Sequence, residues 1–428
     1  MIKIHMNRFS ISGTVIFSLS LLASTVTAAE LKNDISYLLR ASVDGNPSLR
    51  SAWLDVAASG LDIEVAERAR WPVVSAVVES KTGTVSAVPS RSLRAEQTLW
   101  DGGRLGFKVD EAGAQKKIAL YKYSVQQQQV FLSVVSAWQA MLAATDKKIA
   151  AEGALNRLRK YQDQMRRRVE AQASPQIDLE LVDARFFQTE VELSSAKTAY
   201  LNALNRLEQI TGLIRTSNNI EKADYYTPQF IETINRQIKV EDFDLLASEH
   251  VSVAKALAEV ELAQHRYSIK NAERWPQIYV RVEQPMGQQS SVSVDTRMST
   301  FLGMRYVPNA GFSNLIEAKS LATRVESAQE VAQASKRETK ELFENDREDI
   351  LSTTIKVKAL ERAVSGSALV LESYQRQFEG GRKSWLDLLN AVRELAQNEY
   401  ALADAKTSLM ASTYKFLVRA GRSVEKNQ

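Results

Sequence analysis

Two segments of the chain combine helical spacing of apolar side chains with an almost complete lack of helix breakers. Residues 104–170 and 312–379 would each form a nearly continuous helix of about 100 Å, at a rise of about 1.5 Å per residue. Apolar positions along them alternate in steps of three and four, the spacing of a seam that packs on a neighbouring helix. In the first segment these positions are Phe131, Val135, Trp138 and Leu142.

Each long helix is expected to fold back on itself. Turns are predicted at residues 166–175 and 380–383, and the second turn contains the glycine pair that commonly ends a helix. Returning helices over residues 176–211 and 384–420 follow the two turns. The pattern therefore predicts two long helical hairpins.

A period-two pattern precedes each long helix. In the second half of the chain Ile278, Val280 and Val282 alternate with Tyr279 and Arg281. This alternation predicts strands with one apolar and one polar face. The four predicted strands are at about 71–82, 91–100, 275–286 and 296–308, joined in pairs by polar loops at 82–90 and 287–296. Strands of about 9–11 residues with this pattern suit a membrane barrel with a wet lumen, and the alternative is two amphipathic hairpins that cover a soluble core.

The chain contains two copies of one structural unit. Arg70-Trp71-Pro72 returns 204 residues later as Arg274-Trp275-Pro276, and Asp178 returns 209 residues later as Asp387. A period near 200 is too long for a solenoid repeat. We therefore predict two tandem repeats of long helices plus a β-hairpin, over residues 29–212 and 242–428, with an irregular linker at 213–241.

The N-terminus has the composition of an export signal. Lys3 and Arg8 precede an apolar stretch, and small residues lead to a cleavage site after Ala28, so residues 1–28 are predicted to be a signal peptide. The alternative is an uncleaved membrane anchor, although the apolar run is short for a span of roughly 20 residues. No other segment approaches the apolar length of a transmembrane helix.

Composition excludes several classes of function. The export signal accounts for two of the 55 Lys and Arg residues, so 53 basic residues face 51 acidic ones, and this balance gives no indication of nucleic-acid binding. The absence of cysteine excludes disulfides, thiol catalysis, thiolate metal sites and an acylated N-terminal cysteine. His250 and His265, the histidines outside the signal, are expected to be ordinary surface or packing residues. Without a catalytic, metal-binding or phosphate-binding motif, we expect neither an enzyme nor a bound cofactor.

Four strands are too few to close a barrel. An open edge in lipid leaves backbone groups unsatisfied at several kcal/mol each, so strands that span a membrane must be supplied by several chains. Two chains would give eight strands, and side chains would just fill the interior of such a barrel. Three chains would give twelve strands and leave room for a lumen.

The chain resembles the TolC-like family of outer-membrane channel proteins. The resemblance rests on the duplicated plan, Asn46-Pro47-Ser48-Leu49, the repeated Arg-Trp-Pro, and Leu99-Trp100-Asp101-Gly102-Gly103-Arg104. The most specific stretch runs from Tyr374 to Ala391 and resembles the family's second periplasmic turn. The family implies a mainly α fold with a small membrane β part: a homotrimer with a 12-stranded β-barrel in outer-membrane lipid and an α-helical tunnel across the periplasm. It also implies a periplasmic adaptor (membrane fusion) protein and an inner-membrane transporter, expected to be of the ABC type.

The resemblance also suggests a periplasmic gate. Asp178 and Asp387 match aspartates of the family's constriction, and Lys383 falls where the best-known member has a linking arginine. Phe378 and Asn390 depart from the family, since they stand where that member has a tyrosine and a second acidic residue. The alternative for both aspartates is a structural role, because carboxylates are favoured in the first turn of a helix.

The exposed turns are the expected adaptor-docking surface, because they are the only breaks at that end of the helices. The residues assigned to docking are Arg166, Arg167, Arg168, Gly380, Gly381 and Arg382.

The expected function is the exit duct of a tripartite export machine. The segment Trp385-Leu-Asp-Leu-Leu-Asn-Ala resembles family members that serve type I secretion of large proteins such as adhesins. Small-molecule or drug efflux is the alternative within the family. A periplasmic adaptor and a structural coiled-coil protein are alternatives outside it, and the second would leave both strand pairs unexplained.

Overall fold

The computed structural model describes residues 35–79, 90–213, 227–286, 297–308 and 310–422. The predicted signal peptide lies outside the described residues, as do the predicted strand-connecting loops apart from Ser90. In the described part of the chain, no helix is both long enough and apolar enough to cross a membrane.

The fold is mainly helical and repeats one element order, which confirms the predicted mainly α fold with two repeats of long helices and β-hairpins. The first repeat contains α1 (Ile35–Gly45), α2 (Pro47–Arg68), β1 (Val73–Glu79), β2 (Ser90–Trp100), α3 (Arg104–Glu170) and α4 (Gln176–Thr211). The second contains α6 (Phe243–Glu249), α7 (Val251–Ala272), β3 (Gln277–Met286), β4 (Ser299–Arg305), α8 (Ser313–Glu379) and α9 (Trp385–Arg419). Between them lies α5 (Pro228–Val240), and a short 3₁₀ turn (Ala310–Phe312) precedes α8.

Element lengths support the duplication. Helices α3 and α8 both have 67 residues, and α2 and α7 both have 22. The helix starts also correspond, because Asn46 and His250 each cap the helix that follows with a side-chain acceptor. His250 is buried in this role, and burial together with the nearby Arg419 cation lowers its pKa.

The linker prediction is wrong over part of its length. Residues 228–240, expected to be irregular, form the helix α5. Ile231, Ile234 and Ile238 step by three and four along it and are buried, so a single apolar stripe docks this helix on the body of the molecule. Residues 214–226 of the predicted linker lie outside the described part.

Strands β1 and β3 begin two residues later than predicted, and β4 ends at Arg305, three residues before the predicted end. Pro72 and Pro276 stand just before β1 and β3, and Pro308 follows β4. Proline lacks a backbone N–H and is therefore found at strand ends and edges rather than inside a ladder. The four strands form one antiparallel sheet in the order β1-β2-β3-β4, so the hairpins of the two repeats join through β2 and β3.

The helices form an elongated body with the sheet at one end and the two turns at the other. Near the sheet α3 packs on α2 and α7, and α7 packs on α8. Toward the turns α3 packs on α4 and α9, and α9 packs on α8. The largest apolar core lies between these zones, where Trp138, Phe343, Tyr414 and Phe416 meet. Helix α3, for which an apolar seam was predicted, therefore packs against other helices along both halves of its length.

Candidate functional site

The sheet has one apolar and one polar face. Cross-strand register places Val74, Ala95, Val282 and Thr300 in one row, and Gln97, Val280 and Leu302 in the next row of the same face. The apolar side chains of this face are not covered, and Leu302 is 75% exposed. An exposed apolar surface of this kind normally marks an interaction with another protein or a membrane.

The opposite face carries paired charges. Arg94 Nη2 lies 3.3 Å from Glu283 Oε1, and Arg305 Nη2 donates to both oxygens of Glu96 at 3.2 and 3.3 Å. The Arg305 guanidinium also lies 4.6 Å from the centre of the Tyr279 ring. The alternation predicted for β3 and β4 is therefore confirmed, and it extends across all four strands.

Two features bound the sheet. Strands β1 and β4 are its edges, so one side of each strand has no partner among the described strands. At the helical end of the sheet, the rings of Trp100 and Trp275 meet edge to face, with their centres 6.2 Å apart. Trp71, which precedes β1 in the sequence, is largely exposed. Tryptophan at the rim of an apolar band is typical of a membrane–water interface.

At the far end, the two hairpin turns use the same backbone geometry. Ala173 N donates to Arg168 O at 2.7 Å, and 209 residues later Arg382 N donates to Gln377 O at 2.8 Å. This six-to-one bond closes a helix when the residue before the donor is left-handed. Gly381 has φ 69° in the second turn, whereas Gln172 holds φ 57° in the first, where a side chain makes this conformation less favourable.

Asp387 forms a capping box with Ser384, the N-cap residue of helix α9. Its Oδ2 accepts hydrogen bonds from Ser384 Oγ at 2.8 Å and Ser384 N at 3.3 Å, and its own N–H donates to Ser384 Oγ at 3.1 Å. These bonds from Ser384, and then the nearby Lys383 ammonium, hold the pKa of the Asp387 carboxyl below its ordinary value. The contribution of this carboxylate to stability is therefore present above the ordinary pKa and is lost only as the pH falls through the lower folded value.

Asp178 differs from its counterpart. Pro175 occupies the position equivalent to Ser384 and offers no side-chain cap, so no capping box forms at the start of α4. The backbone carbonyl of Asp178 instead accepts a hydrogen bond from Trp385 Nε1 at 2.9 Å. The two aspartates therefore lie at the same end of the molecule. The hydrogen bond that links their helices is made by the Trp385 side chain and the Asp178 backbone, and neither carboxylate takes part in it.

An aromatic cluster joins the two hairpins at this end. Trp385 is buried and lies edge to face with Tyr161 at 6.0 Å, and its ring centre is 5.2 Å from that of Phe378. The Arg168 guanidinium lies 5.1 Å from the centre of the Phe378 ring. Phe378 therefore contacts the first hairpin through a cation–π contact, the kind of interaction that a phenyl ring can still make without a hydroxyl.

The remaining predicted gate residues lie on the same end. Lys383 Nζ is 4.3 Å from the centre of the Tyr374 ring and 3.8 Å from Asp387 Oδ2. Asn390 is half-buried one turn beyond Asp387 on α9.

The docking residues divide into two groups. Arg167 and Arg382 are exposed, and within the described residues neither side chain has a hydrogen bond or an ion pair. Arg166 is exposed with a 3.9 Å contact to Asp163. Arg168 is committed internally, because its Nε donates to Ser174 Oγ at 3.2 Å while the guanidinium covers Phe378.

Sequence reasoning assigned no contact to Trp385 and did not single out Gln172. A tryptophan at the first position of a returning helix, beside a predicted seam, was the available signal for Trp385. For Gln172 the signal was its alignment with Gly381 across the repeat. Neither signal reveals a partner on the other hairpin.

The comparisons with known proteins agree with this architecture. The sequence profile of the outer membrane efflux protein family matches residues 38–213, which cover the first repeat. The structure is similar to that of CusC, with a TM-score of 0.76, 14% identity, and coverage of 91% of this chain and 92% of that chain. It is also similar to VceC from Vibrio cholerae, with a TM-score of 0.74, 14% identity, and coverage of 91% and 97%.

A third similar structure is the open state of MtrE from Neisseria gonorrhoeae, with a TM-score of 0.69, 14% identity, and coverage of 93% of this chain and 94% of that chain. At these identities the likeness establishes the fold. No curated protein sequence matches the chain.

Replacing Trp385 with Phe should loosen the contact between the hairpins. The aromatic packing is kept, but the hydrogen bond to the Asp178 carbonyl is lost, at a net cost of about 1 kcal/mol, or roughly a fivefold increase in local opening. Backbone hydrogen exchange at residues 176–182 should therefore accelerate. Trp71→Phe is the matched control, since this tryptophan is 73% exposed and lies at the other end. Equal exchange in both variants would contradict a linking role for Trp385.

Proposed function

We propose that the chain is the passive exit duct of a tripartite export machine, because its first repeat matches the profile of the outer membrane efflux protein family and its fold is similar to that of solved outer-membrane channels. In this proposal the protein transports cargo and performs no catalysis of its own. The observation that supports the duct most directly is the four-stranded sheet, which has an apolar face, a charged face and two free edges at the end of long helices.

The free edges argue for a trimer. Three chains would supply twelve strands, which satisfies every edge and leaves a lumen. The charged face, with its paired arginines and glutamates, would line this lumen, and the apolar face would contact lipid.

The helices carry a matching pair of uncovered surfaces. Helix α4 packs mainly on α3 and α1, and it exposes Phe187 and Val191. Helix α8, at the other side of the chain, exposes Ile355 and Leu369. Apolar residues on two opposite edges suit a ring in which each chain packs on the next.

The turn end would form the periplasmic entrance. Three-fold symmetry would bring copies of Asp387 toward one axis, where like charges repel and favour a cation or a basic partner. Lys383 lies 3.8 Å from Asp387 and would supply part of that compensation. Asp178, Phe378 and Asn390 complete the proposed gate, in which the Trp385 and Arg168 contacts hold the second hairpin against the first.

The same end would dock the machine's other components. We assign the periplasmic adaptor to the turns around Arg166–Arg168 and Gly380–Arg382, with Arg167 and Arg382 as the side chains free to contact it. An inner-membrane transporter of the ABC type would deliver cargo through this junction.

Type I secretion of a large protein such as an adhesin is the cargo class we favour. Its support is the resemblance of the segment from Trp385 to Ala391 to family members with that role. Small-molecule efflux is the second candidate, because the profile that matches the chain is that of efflux proteins.

The duct predicts both a physical state and a phenotype. The protein should fractionate with outer membranes, require detergent for extraction and migrate as a heat-sensitive trimer. A deletion strain should lose one large surface protein from its exported fraction while drug susceptibility stays unchanged. Loss of drug resistance with intact secretion would favour efflux, and a monomer that dissolves without detergent would contradict the duct.

The gate assignment predicts different outcomes for two neighbouring variants. Asp387→Ala should raise conductance or weaken cation block in planar bilayers, because it removes the proposed ring of carboxylates. Ser384→Ala is the matched control, since it removes a capping partner and leaves the charge in place. If both variants behave alike, or if Asp387→Ala changes nothing, Asp387 serves the helix cap alone.

The docking assignment predicts a charge effect. Changing both Arg167 and Arg382 to Glu should abolish cross-linking to the adaptor at a stability cost of no more than about 1 kcal/mol, because neither side chain has a partner within the described residues and only Arg167 lies in the last turn of a helix. Arg236→Glu on α5 provides a control for reversal of an exposed cation elsewhere. Undiminished cross-linking in the double variant would place the docking surface outside the turns.

A further inference from the structure

Among the described residues of the sheet's charged face, one arginine forms no contact ion pair with a carboxylate. Arg94 is paired with Glu283 and Arg305 with Glu96, as described above. Arg281 lies on the central strand β3, directly opposite Glu96 on one side and Phe301 on the other. Within the described residues it has no ion pair within 4.0 Å, and its Nε has no hydrogen-bond partner.

The position of Arg281 is held by an aromatic ring instead of a counter-charge. Its guanidinium lies 5.2 Å from the centre of the Phe301 ring. A cation–π contact orients the guanidinium but does not cancel its charge. Both oxygens of Glu96, the acid directly opposite, are engaged by Arg305. Each chain therefore presents one positive charge without a contact counter-ion near the middle of this face, and the third carboxylate of the face, Glu79, lies at the end of the edge strand β1.

We propose that Arg281 makes the wall of the duct selective for anions. This inference rests on the proposed function, because it requires three chains to close the sheet around one lumen. Three copies of Arg281 would then face the same water-filled passage, where fixed charges of one sign raise the local concentration of the opposite ion. The favoured solutes are inorganic anions and acidic groups on larger cargo.

The absence of cysteine allows this potential to be measured at one position. Ser299 lies opposite Glu283 on the charged face and is exposed, so Ser299→Cys provides a single reporter thiol close to Arg281. Its rates of reaction with an anionic and a cationic methanethiosulfonate, each normalised to a free thiol, give a ratio that reports the local potential.

Three variants in the Ser299→Cys background test the role of Arg281. Arg281→Gln should lower the ratio of anionic to cationic rates by about threefold or more, and Arg281→Lys should preserve it. The double variant Arg94→Gln and Glu283→Gln is the control, because it removes a pair of zero net charge whose acidic member lies directly opposite the reporter. That control should not lower the ratio, since the nearer of the two removed charges is negative.

The outcomes separate this inference from the duct itself. Labelling of Ser299→Cys but not of Leu302→Cys, which lies on the apolar face, would support the orientation of the wall. With that orientation in place, an equal ratio in the Arg281→Gln variant and its parent would overturn the role of Arg281 and leave the duct standing. Labelling of Leu302→Cys but not of Ser299→Cys would reverse the wall and contradict the proposed duct as well.

Discussion

A strand at the edge of a sheet presents a row of backbone N–H and carbonyl groups, and hydrocarbon offers no water to satisfy them. In this protein β1 and β4 are such edges, while β2 and β3 already pair with each other across the two repeats. A single chain has no further strand among its described residues to cover them. In the proposed duct, the requirement that these edges find partners is the reason for sharing the sheet between chains and for packing the helices that continue from it side by side.

The turns of the two repeats, at the opposite end of the molecule, are stabilised in different ways. The second turn has a glycine in the left-handed position and a serine that caps the next helix through Asp387. The first turn has Gln172 and Pro175 at the equivalent places, so it lacks both aids. Trp385 and the Arg168–Phe378 contact tie the less supported turn to the better supported one. One duplicated unit has therefore become an unequal pair.

Periodicity predicted most of the fold because each element depends on its own local pattern. The 67-residue helices follow from apolar seams in segments that contain few helix-breaking residues. The strands follow from alternating apolar and polar residues in segments that are bounded by prolines and turn residues. The helix α5 was missed because its stripe consists of only three isoleucines within a polar segment. The contact of Trp385 with Asp178 joins residues 207 positions apart, so local pattern carries no information about it. The aspartates were found by resemblance, whereas their different surroundings depend on the neighbours Ser384 and Pro175.

The equal lengths of α3 and α8 have a consequence for how such a chain can change over evolutionary time. Both helices run from a common sheet to neighbouring turns, and each residue adds about 1.5 Å to its helix. An insertion in only one of them would displace its turn along the axis and separate Trp385 from the Asp178 carbonyl. Insertions and deletions should therefore occur in matched pairs at equivalent sites of the two halves, so that the length of the molecule is inherited as a single trait.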